Sequence, residues 1–238
     1  MSAINITIIT AVKNAANALS ETIESVIPFL SEHVYYIIVD GGSEDGTIDV
    51  IKQHKQQLNA WVTEPDKGVY DAMNKGWALA DLNSWILFLG AGDRLLALPD
   101  ELPADCHEKM VLYGNVKLSE GRRFRARSGF WLRLYNSLHH QALLVPKVLH
   151  LEPPFSLDYP LYADFDFNQR LARMGVRFKF CKELSGYSGP GGLTQVTHLD
   201  ELRRIIRKNY GAIWSMLSIA GFKLALLVPL LQRFRPIN

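Results

Sequence analysis

Hydrophobic and polar positions alternate in kind along the first ninety residues. Residues 4–10 form a β-branched run with few polar breaks, the pattern of a strand buried on both faces. Over 18–29 the apolar residues Leu19, Ile23, Val26 and Ile27 recur at helical spacing, and Pro28 closes the run. Residues 35–40 predict a second strand that stops at Gly41-Gly42. Residues 45–53 predict a helix with Ile48 and Ile51 inward. A short strand at 60–62, a helix at 71–80 and a strand at 84–89 follow, the last closing on Gly90-Ala91-Gly92-Asp93. Repeated strand–helix units imply an α/β fold: a mostly parallel central sheet with helices on both faces. In such sheets ligands sit beyond the carboxyl ends of the strands.

The second half is less regular. A hairpin is expected from 111–118 and 122–127, and a strand at 142–145. A helix over 164–174 ends at Gly175, and a strand follows at 176–181. A flexible loop is expected at 189–192, then a helix over 200–210 with Leu202, Ile205 and Ile206 on one side. No repeat or linker interrupts the chain. One domain over 1–210 with an appendage over 211–238 is the expected organisation.

That appendage changes the picture. Residues 212–231 carry one charge, Lys223, with Arg203, Arg204, Arg207 and Lys208 before them and Arg233 and Arg235 after. The length just suffices to span a bilayer. Lys223, Gly221, Pro229 and basic residues on both sides speak against spanning. A helix lying in the interface of an anionic membrane fits better, and a helix covering the core or a dimer face is the plain alternative.

Composition narrows the classes. Of 238 residues, 48% are hydrophobic and 21% charged, which excludes a disordered chain. Lys and Arg number 26 against 24 Asp and Glu, too even for a dedicated nucleic-acid binder. The two cysteines, Cys106 and Cys181, lack zinc-ligand spacing. The first residues carry no basic region or cleavage site, so a reduced, cytoplasmic setting is expected.

Four clusters fall at predicted strand ends. Thr10-Ala11-Val12-Lys13-Asn14 follows the first strand, and Asp40-Gly41-Gly42-Ser43-Glu44-Asp45-Gly46-Thr47 the second. A carboxylate such as Asp40 suits a base or ribose, and Gly42 lets backbone approach a ligand. Neither a dinucleotide fingerprint nor a P-loop is present; a tight turn capped by Ser43 or Asp45 is the plain alternative. Glu64 to Gly76 is dense in charge, with Lys67 available to a phosphate and Asp71 and Asn74 on one helical face. Asp93, at the end of an apolar strand, suits a divalent cation already bridged by phosphates.

In this order and spacing the clusters resemble those of the family-2 glycosyltransferases, especially short bacterial enzymes of capsular, colanic-acid-type and O-antigen polysaccharide synthesis. The resemblance is strong over 4–94 and patchy over 137–210. It implies a GT-A fold with a nucleotide-binding half (1–94) and an acceptor half (95–210). It implies donor contacts by Thr10, Ala11, Asn14, Asp40, Gly42, Lys67, Asp71, Asn74 and Ala91, and a divalent cation, Mn²⁺ or Mg²⁺, on Asp93. Gly92 stands where the family often has a further acid. In Ala163-Asp164-Phe165-Asp166, Asp164 matches the family's general base, with Ala163 in place of a glutamate; an ordinary helix cap is the alternative. Asp166 then reads as structural or acceptor-orienting. His139-His140-Gln141 resembles the family's His-Gln near the acceptor site, so His140 and Gln141 are acceptor-side candidates; His140 is an acceptor or phosphate contact, or a buried, satisfied histidine. Gly191-Gly192 resembles a loop that closes over the donor. Arg123, Arg125 and Arg127 share one strand face, more readily a solvated face than a diphosphate site.

The resemblance thus implies an inverting, metal-dependent transfer from a nucleotide-diphosphate-sugar donor to a growing lipid-linked or oligosaccharide acceptor. The expected setting is peripheral, at the inner face of the cytoplasmic membrane. A non-catalytic, nucleotide-sugar-binding or scaffolding member is a second reading, motivated by Gly92 and Ala163. A sugar nucleotidyltransferase is disfavoured, because Ala11 to Ala16 has no glycine.

Overall fold

The computed structural model describes residues 5–103, 109–149, 153–190 and 198–221. The chain runs β1 (Asn5–Val12), α1 (Ala16–Val26), β2 (Val34–Asp40), α2 (Thr47–Gln53), β3 (Ala60–Thr63), α3 (Val69–Leu79), β4 (Ser84–Gly90) and β5 (Arg94–Ala97). It continues through β6 (Met110–Leu118), β7 (Arg123–Phe124), β8 (Leu143–Pro146), α4 (Ala163–Arg173), β9 (Arg177–Ser188) and α5 (Leu199–Tyr210). Residues 212–221 form a further helix, α6.

The strands form one sheet in the order β3-β2-β1-β4-β8-β6-β9-β5, with β7 paired to β6. The first four are parallel, Ile9 lying opposite Ile37 on one side and Phe88 on the other. Beyond β4 the sheet is mixed: β8 is antiparallel to both β4 and β6, and β9 is parallel to β6. Successive side chains of β1 serve opposite faces, as the two-residue period of a strand requires. Ile8 packs with Leu19, Ile23 and Ile51 of α1 and α2. Ile9 packs with Met73 and Trp77 of α3, on the side that α4 and α5 also cover with Phe165, Phe167 and Ile206. Helices on both faces explain why the first strands show no polar alternation.

Some boundaries differ from expectation. α2 and α3 begin at Thr47 and Val69, because the acids Asp45 and Asp71 hydrogen-bond turn N–H groups. The strand expected at 176–181 continues to Ser188 after a register shift between Tyr113 and Asn115 of its partner β6. β5 pairs with that extension, and its four residues alone gave no pattern. The expected hairpin pairs only at β7, near Val116 and Lys117. At the register shift, β9 crowds Gly114: an added Cβ would lie 1.8 Å from the Leu184 carbonyl oxygen. Backbone cannot yield as a side-chain tip does. Gly114→Ala is therefore expected to destabilise by about 3 kcal/mol, the upper range for overpacking. Chemical denaturation checks this, and an unchanged midpoint would contradict it.

Candidate active site

A cavity of about 430 Å³ opens beyond the carboxyl ends of β1 and β4. Ala11, Val12 and Lys13 line it from β1 and its following turn, Asp66 and Tyr70 from the α3 entry, and Ala91 and Asp93 from the turn after β4. The second half contributes Asn136, His139, His140, Gln141 and Asp164, with Ser188 to Pro190 at the end of β9.

The turn after β4 is tightly specified. Asp93 Oδ2 accepts from the Gly90 N–H at 2.7 Å and from Gln141 Nε2 at 3.1 Å, and Oδ1 accepts from the Gly189 N–H at 3.1 Å. Gly92 sits at φ +94°, where side chains are strained, which is a local reason for glycine rather than a second acid. Buried Thr22 of α1 clasps the same turn. Its hydroxyl donates to the Asp93 carbonyl at 2.7 Å and accepts from the Gly92 N–H at 2.9 Å. Thr22→Val preserves shape but strands the Asp93 carbonyl, a loss of about 1–3 kcal/mol. A thermal melt is expected to show that loss, with Thr22→Ser close to wild type; equal behaviour of the two variants would contradict the clasp.

Asp164 enters from the first turn of α4. Its Oδ1 accepts from the Phe165 N–H at 2.8 Å, lies 3.1 Å from the Tyr70 hydroxyl and 3.4 Å from Asn136 Nδ2. Its Oδ2 lies 3.3 Å from His140 Nδ1, while His140 Nε2 lies 3.6 Å from Asp93 Oδ2. One imidazole therefore spans the two carboxylates. Burial alone disfavours the charged ring, but Asp164 and Asp93 outweigh it and raise the His140 pKa to about 9. Burial likewise opposes the Asp164 charge, yet His140 and Tyr70 hold its pKa below the ordinary carboxylate value. The Tyr70 phenol is pushed well above its usual range by burial and by Asp164. Ala163 is fully buried in the core, where a glutamate would leave a charge without water.

Of the residues singled out in the sequence, Ala11, Ala91, Asp93, His140, Gln141 and Asp164 meet in this cavity. Others stand outside its lining. Thr10 is buried against the Tyr36 hydroxyl. Asp40 is fully buried and accepts from the Ser43 N–H and hydroxyl. Asn14, at φ +49°, accepts from the Glu44 N–H and so ties the first two loops together, with Gly42 in the second. Lys67 is exposed, its N–H held by Asp71, which also pairs with Lys75. Asn74 exchanges two hydrogen bonds with the Phe155 backbone, pinning α3 to the approach of α4. Asp166 is fully buried, bound to Arg170 and Asn209. Gly192 lies outside the described residues.

Sequence reasoning missed Asp66, Tyr70, Asn136 and His139 as lining residues, and Thr22 as the clasp. Asp66 and Tyr70 were inside a cluster already flagged by its charge density. His139 stood in the flagged His-His-Gln motif, where His140 was the better match; Asn136 and Thr22 carried no local signal of their own.

For a divalent cation, the donor set is small. Among the described residues no group of three or more His, Cys, Asp or Glu is arranged to hold a metal. Asp93 presents a carboxylate to the cavity, and Gln141, whose Nε2 donates to that carboxylate, has its Oε1 buried without a hydrogen bond of ordinary geometry. A carboxylate and an amide carbonyl are hard oxygen ligands. They fit an ion that takes its remaining ligands from water and from substrate phosphates.

The model for "Glycosyl transferase family 2" matches residues 7–141. A "PGL/p-HBAD biosynthesis glycosyltransferase" of Mycobacterium bovis is 33% identical over 182 residues, covering 71% of this chain and 70% of that protein. Among solved structures, S. aureus TarS superposes with a TM-score of 0.62 at 15% identity, over 86% of this chain. The chain spans 38% of that TarS chain and 65% of its 1–349 piece in complex with UDP. The mannosyltransferase PcManGT of Pyrobaculum calidifontis, in complex with GDP-Man and Mn²⁺, gives 0.56 at 17% identity, over 86% of this chain and 61% of that one. At such identities the structural likeness is one of fold.

Proposed function

The chain belongs to glycosyl transferase family 2, and from that premise we propose a metal-dependent, inverting transfer of a sugar from a nucleotide-diphosphate donor to a hydroxyl of a lipid-linked or oligosaccharide acceptor. The observation that carries this reading is the convergence of Asp93, from the parallel half, and Asp164, from α4, on one cavity. Solved structures of TarS and PcManGT, which share the fold, are in complex with UDP-GlcNAc and with GDP-Man and Mn²⁺. That supports a nucleotide sugar as donor.

In this reading the donor diphosphate lies near the turn at Asp93, and the nucleoside extends along β1 and the α3 entry, past Lys13 and Asp66. Asp93, with Gln141 Oε1 nearby, would hold Mn²⁺ or Mg²⁺, and the ion would supply charge neutralisation for the diphosphate leaving group. Asp164 takes the proton from the acceptor hydroxyl as that oxygen bonds to the anomeric carbon and the bond to the diphosphate breaks. Tyr70, Asn136 and the Phe165 N–H hold one oxygen of Asp164, leaving the other beside His140. Asp40, Asn14 and Gly42 serve the donor by shaping the loops; Asn74 and Asp166 serve by fixing α3 and α4. The single domain 1–210 and a place of work at the inner membrane face are part of the same proposal.

A thermal-shift panel of UDP- and GDP-sugars with Mn²⁺, followed by a donor-hydrolysis assay, tests it. A donor at about 100 times its Kd adds about 2.7 kcal/mol to native stability. One nucleotide series is expected to raise the melting temperature and to be hydrolysed slowly without acceptor. A panel with neither response would overturn the reading.

A further inference from the structure

Helix α6 turns much of its apolar surface outward, while Trp214 and Ile219 are half-buried. Ile213, Met216, Leu217 and Ala220 recur at helical spacing and all lie exposed, the first three by 68, 62 and 51%. The opposite side carries Ser215 and Ser218, which are buried and hydrogen-bond the carbonyls of Arg203 and Leu134. A helix packed on a water-soluble core shows the reverse arrangement. The stripe does not stand alone. Trp214 packs on Phe130 from a separate segment, the 3₁₀ turn Gly129–Arg133, at 5.7 Å between ring centroids. Phe130 and its neighbour Trp131 are themselves 56 and 41% exposed.

Charge around this apolar face has one dominant sign. Arg127 stacks on Trp131, and Arg133 on Tyr210 and Trp214. Exposed Arg203 and Arg207 flank α6 from α5, and the acid paired there is Asp200, with Arg203. A second copy docked on this face about a two-fold axis would bring arginines against arginines, which disfavours self-association. Apolar side chains and aromatic rings ringed by cations complement a different surface: acyl chains beneath anionic head groups.

We propose that the face formed by α6 together with Phe130 and Trp131 docks on an anionic lipid surface. The proposal rests on the membrane-side setting given above and deepens it. Contact is made by two segments distant in sequence, not by the C-terminal stretch alone. Chain continuity gives the contact a purpose. The run that carries Phe130 and Trp131 continues directly to Asn136, His139 and His140 in the cavity. Docking through it holds a segment that runs into the acceptor side of the cavity at the lipid surface.

The test uses the full chain with vesicles of phosphatidylglycerol and phosphatidylcholine, against phosphatidylcholine alone. Co-sedimentation is expected with the anionic vesicles only, with release by high salt. Phe130→Ser/Trp131→Ser and Ile213→Ser/Met216→Ser/Leu217→Ser are each expected to weaken binding about tenfold or more. Ile213→Leu/Met216→Leu is expected to bind as wild type. Donor hydrolysis is followed in parallel, because exposed positions should leave it unchanged. Hydrolysis without vesicle binding would overturn this proposal and spare the transferase reading. Vesicle binding without any hydrolysis would support the lipid face while the transferase reading failed. A dimer that the Ser variants dissociate, with no vesicle binding, would also overturn it. So would vesicle binding that survives the Phe130/Trp131 change.

Discussion

Replacing Asp164 by asparagine is expected to lower kcat by about 10²–10⁴-fold, the scale of general-base catalysis, with donor affinity nearly unchanged. The amide can keep an oxygen toward Tyr70, Asn136 and the Phe165 N–H, so the fold and the cavity shape should survive. What it cannot do is take up the acceptor proton. Steady-state kinetics at saturating donor, with donor binding measured by calorimetry, separate the two effects. Asp166→Asn is the control. That carboxylate is fully buried on Arg170 and Asn209, so its loss should lower the melting temperature. The molecules that remain folded should keep their turnover. An inactive, folded Asp166→Asn beside an active Asp164→Asn would reverse the assignment. The pH profile adds a further check. Because the folded pKa of Asp164 lies below the ordinary carboxylate value, this base stays ionised through neutral pH. It is protonated only as pH falls through that lowered value, so activity lost between pH 7 and 5 would have to come from another group.

Removing the cation should be comparably severe. Chelation with EDTA is expected to abolish transfer by about 10²-fold or more and addition of Mn²⁺ or Mg²⁺ to restore it, since the cation is asked to supply several kcal/mol of charge stabilisation. Asp93→Asn should show the same loss without rescue. A residue in a turn is ordinarily exposed, and its substitution then spares the fold. The structure alters that expectation. Asp93 is 8% exposed and accepts three hydrogen bonds, two from backbone N–H groups. An amide nitrogen in either orientation faces at least one of those donors. Asp93→Asn is therefore expected to cost stability as well, of order 1–3 kcal/mol. Kinetics must be compared below the variant's melting range. Full activity in EDTA would remove the metal from the mechanism.

The parallel half was legible because its forces are local. A strand buried on both faces needs a continuous β-branched run, and the helices beside it need apolar residues at helical spacing. The turns need glycine and acids where backbone reverses. Ile8, Ile9, Leu19, Ile23 and Gly92 each carry that requirement in their own neighbourhood. The mixed half was harder. β5 and the far part of β9 are strands only because each is the other's partner, and Gly114 is a glycine only because Leu184 crosses it. The candidate site divides in the same way. Asp93 and Asp164 stood out through position in a motif. Asp40 and Asn74 have residue types equally suited to binding a ligand or tying down backbone, and spacing does not distinguish those uses.

By itself the sequence determined the fold class and the family, and it singled out the two carboxylates on which the chemistry is proposed to turn. These follow from periodicity and from motifs read within short windows. Only the tertiary structure decided which polar side chains are consumed by the scaffold. It also decided that His140 spans Asp93 and Asp164, that Thr22 clasps the turn from another helix, and that α6 turns its serines inward and Ile213 and Met216 out. The reason is physical. A side chain's capacity to bind, to ionise or to support a neighbour depends on which groups already satisfy its hydrogen bonds and on how much water reaches it. Both are properties of residues far away in the chain.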